Sequence, residues 1–504
     1  MKNTPLQGTT HSPGATLLLA LRWQYAAALR RLNALPSKRR YFVTPVLIGV
    51  ITGVLALLFV KLINLFNRLF LEDLVGYDSP HAAGGFFNGA SGLHPAMGLH
   101  PGRDTTYSAI PQHPWILPVC LGLAGLVSGL IAKYVARSAS GLGTDVAISA
   151  YHHDPADLSL KDSFAKLFTS ALVLGAGGPS GREGAMSLIG GAVGATVAKL
   201  LRQSHAEMRE ALAIGVGAGL GAMFKAPLAG AIISAELFYR HDFEIETILP
   251  AFVAGSIAYV IVAMKTGFSP LIATSIPVLS VYQIKYLLWF SVFGLFSALI
   301  VRVMLGVLDA VRGWFQKRKS YPIYIKAMLG GILAGLVGMV TPFAIGNGYG
   351  WLQLLISSVI HPSVAALSLG MFGVILGMAL IAGSGASGGA FSPTVVIGGL
   401  AGALFGHLVM AVDPASTIPI SMFIIVGMMT VFAGAAKAPL STLILITEMT
   451  GSYELLVPAM LSIGMSVLFS GKRNMFSSQH ERRDSSTPEP AITGGSPHKP
   501  NAAV

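Results

Sequence analysis

The chain carries one design twice. Residues 175–195 read GAGGPSGREGAMSLIGGAVGA and residues 383–403 read GSGASGGAFSPTVVIGGLAGA. Set on their shared Ile-Gly-Gly, Ile189 with Ile397, the blocks agree at Gly175/Gly383, Gly177/Gly385, Gly181/Gly389, Gly190/Gly398, Gly194/Gly402 and Ala195/Ala403. A second pair follows: FKAPLAGAIISAE at 224–236 and AKAPLSTLILITE at 436–448, with Glu236 opposite Glu448. Ile397 lies 208 residues after Ile189 and Glu448 lies 212 after Glu236, so both pairs keep one register apart from a short insertion. Two related halves are expected, and membrane transporters built this way hold substrate at the repeat interface near the bilayer midplane.

Composition sets the medium. Charged residues are 11% of the chain, against about 25% in a typical soluble domain. Hydrophobic residues are 53% and glycines number 59. Apolar stretches recur at 42–61, 114–133, 245–264, 285–301, 322–341, 366–382, 421–436 and 455–470, each able to cross or nearly cross a bilayer, which takes about 20 residues. Small residues in such runs suit close helix packing in lipid. An all-α polytopic membrane protein follows. The net charge of +12 points to topology rather than to nucleic acid, because the basic residues flank apolar runs. The single cysteine, Cys120, excludes a disulfide framework and a thiol metal site.

The flanking charges predict orientation. Residues 1–41 carry Lys2, Arg22, Arg30, Arg31, Lys38, Arg39 and Arg40 without an acid, and form a basic cytoplasmic segment. The loop 71–113 holds Glu72, Asp73, Asp78 and Asp104 against Arg103 and falls outside. Lys133 and Arg137, then Arg312, Lys317, Arg318 and Lys319, mark returns to the inside. A transmembrane domain over 42–476, with halves of about 42–270 and 281–470, precedes a polar tail at 477–504 whose composition predicts a disordered cytoplasmic segment.

The chemistry lies in the glycine-rich loops. Each precedes an apolar, helix-compatible run. A helix N-terminus offers unpaired N–H groups and partial positive charge, and glycine lets backbone approach an ion closely. Two such ends meeting in mid-membrane hold a small anion without burying a full cation. The competing reading, glycines that only permit tight helix packing, is weaker for two loops in one register than for one. Glu183, between Gly181 and Gly184, is an ionisable group in an apolar region and hence a functional candidate. Ionised, it competes with a free anion for the site; protonated, it leaves. A structural salt bridge with Arg182 is the alternative.

These residues resemble the ClC family of chloride channels and proton–chloride antiporters. Gly181-Arg182-Glu183-Gly184 looks like the family's G(K/R)EG motif, and Gly389-Ala390-Phe391-Ser392-Pro393 like its GxFxP motif. The match covers roughly 40–476, and GREGAM, Asn347-Gly348-Tyr349 and MTGSYELL make it most similar to the bacterial ClcB-like members. The resemblance implies a ClC-type fold of two inverted helical repeats with broken, re-entrant helices. It implies a homodimer in the bacterial inner membrane with both termini cytoplasmic, chloride as the ion, protons as a possible partner, and no cofactor, metal or enzymatic activity. It makes Glu183 the outer gate, assigns the central anion site to the amides of Ala390 and Phe391, and the outer site to Arg182, Glu183 and Gly184. The family's anion-binding serine falls at Gly141, beside Ser140. Its inner proton glutamate falls at Leu237, with Glu236 one position earlier as the possible proton path. Its inner tyrosine is Phe476, which supplies a ring without a hydroxyl.

Several residues keep two readings. Lys225 and Lys437 either raise the potential along the path or anchor a cytoplasmic edge. Lys166 either attracts anions or pairs with a buried acid. Glu236 and Glu448 are either helix-end structural groups or functional ones. His152 and His153 read as solvated loop histidines. A voltage-gated channel, a strict H+/Cl− antiporter and a transporter of another small anion such as fluoride or nitrate all fit. A membrane enzyme does not, because the chain has no phosphate loop or His-x-x-x-His pair.

Overall fold

The protein is represented by a computed structural model that describes residues 37–84, 111–274 and 284–483. The expectations for residues 1–36, for most of the acidic loop and for the tail beyond 483 lie outside the described residues.

The first half holds α1 (Ser37–Asn67, continued as a π-helical stretch Arg68–Val75), α2 (Leu117–Tyr134), α3 (Gly143–His152), α4 (Leu160–Gly175), α5 (Glu183–Leu200), α6 (His205–Phe224), α7 (Pro227–Glu236) and α8 (Ile248–Thr266). The second half holds α9 (Ile284–Lys317), α10 (Ile323–Val340), α11 (Tyr349–Ile356), α12 (Val364–Ser384), α13 (Phe391–Val412), α14 (Ile420–Ala436), α15 (Pro439–Thr450) and α16 (Leu456–Phe469). Two dipeptide strands, β1 (Gly141–Leu142) and β2 (Ser387–Gly388), pair in parallel. Among the described residues each half thus contributes eight helices in the same order.

Seven described helices are long and apolar enough to cross a membrane. Six coincide with apolar stretches read from the sequence. The seventh, Phe391–Val412, runs on from the second glycine-rich loop. The stretches 421–436 and 455–470 form shorter helices. At 10 and 12 residues, α7 and α15 cannot span hydrocarbon, which takes about 20; they are the broken helices of the design. Exposed apolar rows on α2 (Val119, Leu123, Val127), α9 (Leu288, Val292, Leu295, Leu299) and α12 (Leu369, Phe372, Leu376) face outward, a surface that lipid solvates and water does not.

The halves are inverted. Segment 244–247 lies at the start of α8 and segment 266–274 at its end. The Gly84 N–H donates to the Leu271 carbonyl, and the Ile272 N–H to Met449, so the end of α8 shares its face with residue 84 and the loop after α15. The opposite face carries 238–246 together with 477–483, joined by Arg240 N–H to His480 O and His241 N–H to Glu481 O. Helix α16 leads into that second face, so α8 and its equivalent α16 run in opposite directions.

Glycine spacing sets how closely the helices approach. A Cβ on Gly190 would overlap the Gly215 carbonyl on α6, and one on its equivalent Gly398 would overlap Gly427 on α14. The Ile-Gly-Gly repeat therefore serves helix packing, the plainer of its two readings. The glycines nearer Glu183 do something else.

Candidate anion pathway

The two glycine-rich loops meet. The Gly181 N–H donates to the carbonyl of its repeat equivalent Gly389 at 2.9 Å, and the Gly389 N–H donates to the Ser180 hydroxyl at 2.9 Å. Behind them Ser387 is fastened twice, to the Ser170 hydroxyl at 2.8 Å and through its N–H to the Ser128 hydroxyl at 3.0 Å. From this junction α5 starts at Glu183 and α13 at Phe391. The start of α3 joins them: a Cβ on Gly184 would stand 3.0 Å from the Gly388 carbonyl and 3.2 Å from the Gly143 nitrogen. No N-cap side chain closes the first turn of any of the three. Their free N–H groups and positive dipole ends point to one small volume.

Glu183 occupies that volume. Its side chain is buried, and Oε1 accepts a short hydrogen bond from the Ser392 hydroxyl. Ser392 Oγ in turn lies 2.8 Å from the Tyr349 hydroxyl. Oε2 accepts no hydrogen bond among the described residues. It lies against Gly181 and Gly389: a Cβ on Gly389 would stand 2.8 Å from it, and one on Gly181 would overlap it. Gly181 is glycine because the carboxylate fills the space a side chain would take, while at Gly389 the Gly181 carbonyl, 2.6 Å from a Cβ, bars one before the carboxylate does. The carboxylate takes its hydrogen bond from Ser392, not from Arg182, so the structural salt bridge does not explain it.

A cavity of about 30 Å³ adjoins the carboxylate, enough for one or two water-sized occupants. Ala390, Phe391 and Phe476 line it with Glu183, as do Leu142, Thr144 and Leu237. Glu183 is the only ionisable side chain among its described lining residues. Arg182 lies in a separate cavity of about 40 Å³ with His81, Asn347 and Tyr349, its guanidinium 5.8 Å from the Tyr349 ring centre. Gly184 packs between Gly388 and Gly143 and lines neither cavity. Gly141 does not line the cavity either. Its carbonyl accepts a short hydrogen bond from buried Lys166, whose Nζ also donates to Ala139 O at 3.3 Å. The loop reaches the cavity through Leu142 and Thr144, and Lys166 braces its backbone in place of pairing with an acid.

The remaining repeat residues are helix caps, made across the halves. Glu236 accepts from the N–H groups of Leu440 (3.0 Å) and Ser441 (2.6 Å) at the start of α15. Glu448 accepts from Leu228 (3.3 Å) and Ala229 (2.8 Å) at the start of α7. Each carboxylate satisfies orphan donors of the other short helix. Lys225 and Lys437 end α6 and α14 in left-handed backbone, φ 55° in both. Lys225 Nζ donates to the carbonyls of Thr266 and Gly267 at 3.0 Å; Lys437 Nζ donates to Val467 O at 3.3 Å and to Ser470 Oγ at 2.7 Å. They lie at opposite faces, as inversion requires, so a shared cytoplasmic anchoring role does not hold.

The face opposite residue 84 carries a docked strap. Ser477 Oγ and the Ser478 N–H donate to Asp145 in the first turn of α3, at 2.7 and 2.9 Å. Arg483 pairs with buried Glu244 at 3.1 Å. Hydrogen bonds and an ion pair thus tie the segment 477–483 to the body, and Phe476 lines the cavity. His152 is not a solvated loop residue: it stacks on His480 at 3.8 Å and bonds the Phe238 carbonyl at 2.9 Å. His153 is exposed. Burial, followed by the neighbouring His480, Arg209 and His153, pushes the His152 imidazole down to about 4, against the Phe238 carbonyl, which raises it. A released imidazole takes its proton near 6.5, so docking is strongest above that pH and weakens as pH falls through 6.5 towards about 4. We predict that hydrogen-exchange protection of the 477–483 amides, corrected for intrinsic rates, drops across this window and that His152→Phe flattens the drop.

Neither Ser392 nor Tyr349 stood out as a functional residue in the sequence, although both lie inside quoted motifs. Thr144 carried no signal.

The fold and site define a multi-pass membrane protein of inverted repeats, with an ion-sized cavity between opposed helix N-termini. Residues 124–471 match the family described as voltage gated chloride channel, and the chain belongs to that family. It is 28% identical over 396 residues to the voltage-gated ClC-type chloride channel ClcB of Salmonella typhi, covering 78% of this chain and 93% of that one. It is 31% identical over 316 residues to the H(+)/Cl(-) exchange transporter ClcA of Citrobacter koseri, covering 60% and 65%. A slow cyanobacterial Cl-/H+ antiporter shares the fold with TM-score 0.71 at 22% identity, over 86% of this chain and 94% of the other.

Proposed function

We propose that the protein passes chloride across the bacterial inner membrane through a path in each subunit of a homodimer, with both termini cytoplasmic and Glu183 as the gate. One observation carries the reading: the sole ionisable side chain among the described residues lining the cavity sits at the meeting of three helix N-termini, where a free anion would sit. Ala390 and Phe391 supply the amide end of the central site, and Arg182 the outer approach. Ionised, the Glu183 carboxylate competes with chloride for the same donors; protonated, it loses that attraction and yields the site. On the inner side Leu237 faces the cavity where a carboxylate would relay protons, and Glu236 is occupied as a helix cap. This favours proton-opened anion conduction over exchange in a fixed ratio.

Chloride efflux from liposomes holding the purified protein, with potassium and valinomycin balancing charge, tests the reading. Efflux well above protein-free liposomes is expected. Absence of chloride efflux beside brisk fluoride or nitrate efflux would overturn the choice of ion. Cross-linking in the bilayer that yields only monomers would overturn the dimer.

A further inference from the structure

The carboxylate of Glu183 accepts a hydrogen bond from the Ser392 side chain, and that contact is built. Ser392 is the second residue of α13 and is fully buried. Its hydroxyl stands between Glu183 Oε1 and the hydroxyl of Tyr349. Tyr349 opens α11 and is 1% exposed. Its N–H donates to Asn347 Oδ1 at 3.1 Å, and Gly348 before it has φ +75°, with space for a Cβ closed by Val396 of α13 at 2.6 Å. The Asn347-Gly348 turn therefore fixes the tyrosine against the same helix that carries Ser392.

Proton counting gives the network a direction. An ionised carboxylate only accepts, and a serine hydroxyl has one proton. Ser392 Oγ has donor geometry toward both Glu183 Oε1 and the Tyr349 hydroxyl, and the charged carboxylate outcompetes the neutral phenol for its one proton. The Tyr349 hydroxyl, 2.8 Å from Ser392 Oγ, holds the serine at that position. A charged acceptor makes the bond to Ser392 stronger than a neutral one does. Protonation of Glu183 removes that advantage, and Oε2 accepts no hydrogen bond among the described residues to replace it.

We propose that Ser392 and Tyr349 form a two-hydroxyl latch that holds the Glu183 carboxylate in the anion seat, making them positioning residues that set how often the path is closed. The proposal rests on the reading of Glu183 as the gate. It adds a component that the gate motif itself does not contain.

The test compares initial chloride efflux at pH 7.5 for Ser392→Ala, Tyr349→Phe and Ser392→Thr, each alone and combined with Glu183→Gln. A hydrogen bond to a charged group corresponds to roughly a tenfold change in occupancy, so Ser392→Ala is expected to raise efflux about tenfold and Tyr349→Phe by a smaller factor. Ser392→Thr, which keeps the hydroxyl, restores slow efflux. None of the three changes efflux further once Glu183 is Gln, and the pH dependence of efflux weakens in the order wild type, Tyr349→Phe, Ser392→Ala. Wild-type efflux from Ser392→Ala while Glu183→Gln is fast would overturn the latch and leave the gate standing. Equal acceleration by Ser392→Ala in the Glu183→Gln background would also overturn it, since the hydroxyl then acts on pore width. Glu183→Gln indistinguishable from wild type would remove the gate and the latch together. Should Ser392→Ala elute as aggregate on size exclusion, Tyr349→Phe decides alone: unchanged efflux and unchanged pH dependence overturn the proposal.

Discussion

Glu183→Gln is expected to raise chloride flux at neutral pH, to make that flux independent of pH, and to abolish any proton movement linked to it. Glutamine keeps the volume and an acceptor oxygen for Ser392, but it carries no charge to compete with chloride and takes up no proton. The geometry makes the effect large. Both oxygens of the carboxylate lie where three uncapped helix ends converge, and Gly181 and Gly389 leave room for nothing else. Parallel flux measurements from pH 4.5 to 7.5 check this, with size-exclusion profiles as the folding control. A variant that stays folded yet keeps the wild-type pH profile would place the gate elsewhere. A variant that only aggregates would make Glu183 a structural group.

Removing either cross-repeat cap is expected to destabilise the protein without changing how flux depends on protons. Glu236→Ala leaves the N–H groups of Leu440 and buried Ser441 without their acceptor, and Glu448→Ala does the same to exposed Leu228 and to Ala229. Losing a charged cap of this kind costs roughly 2–3 kcal/mol. By the near symmetry of the two contacts, the melting temperatures of both variants fall by similar amounts. Glu236→Gln, which retains one acceptor, falls less. The contrary result is specific: a Glu236→Gln protein as stable as wild type whose flux has lost its response to a proton gradient. That would return Glu236 to the proton path suggested by its place beside Leu237.

The features legible in the sequence are those that break a local pattern. A repeated glycine block in an apolar chain is improbable without a repeated fold, and a glutamate inside that block stands against its background. Both point to the place where the two loops meet in the structure. The span Phe391–Val412 was less visible because its first turn doubles as the loop. What could not be read is contact across sequence distance. Glu236 caps residues 204 and 205 positions later, and the repeat alignment that pairs it with Glu448 cannot tell a reciprocal cap from two functional acids. Ser392 and Tyr349 are 43 residues apart and meet only when α11 docks on α13. In the loop at 140–145 a displacement of one residue decides which side chain faces the cavity, and no periodicity constrains so short a segment. The docked strap at 477–483 was hidden by its polar composition, because its order comes from backbone and charged contacts to Asp145, Glu244 and the 240–242 loop rather than from apolar burial.

The most direct measurement follows chloride and pH together in liposomes holding the wild-type protein, under a chloride gradient with no proton gradient. The account predicts chloride flux that accelerates as pH falls, without sustained uphill proton movement, because Glu183 takes up protons from outside while Leu237 offers them no onward step. Uphill proton movement driven by chloride alone, and lost in Glu183→Gln, would contradict it, making the protein a coupled antiporter with a proton route past Leu237.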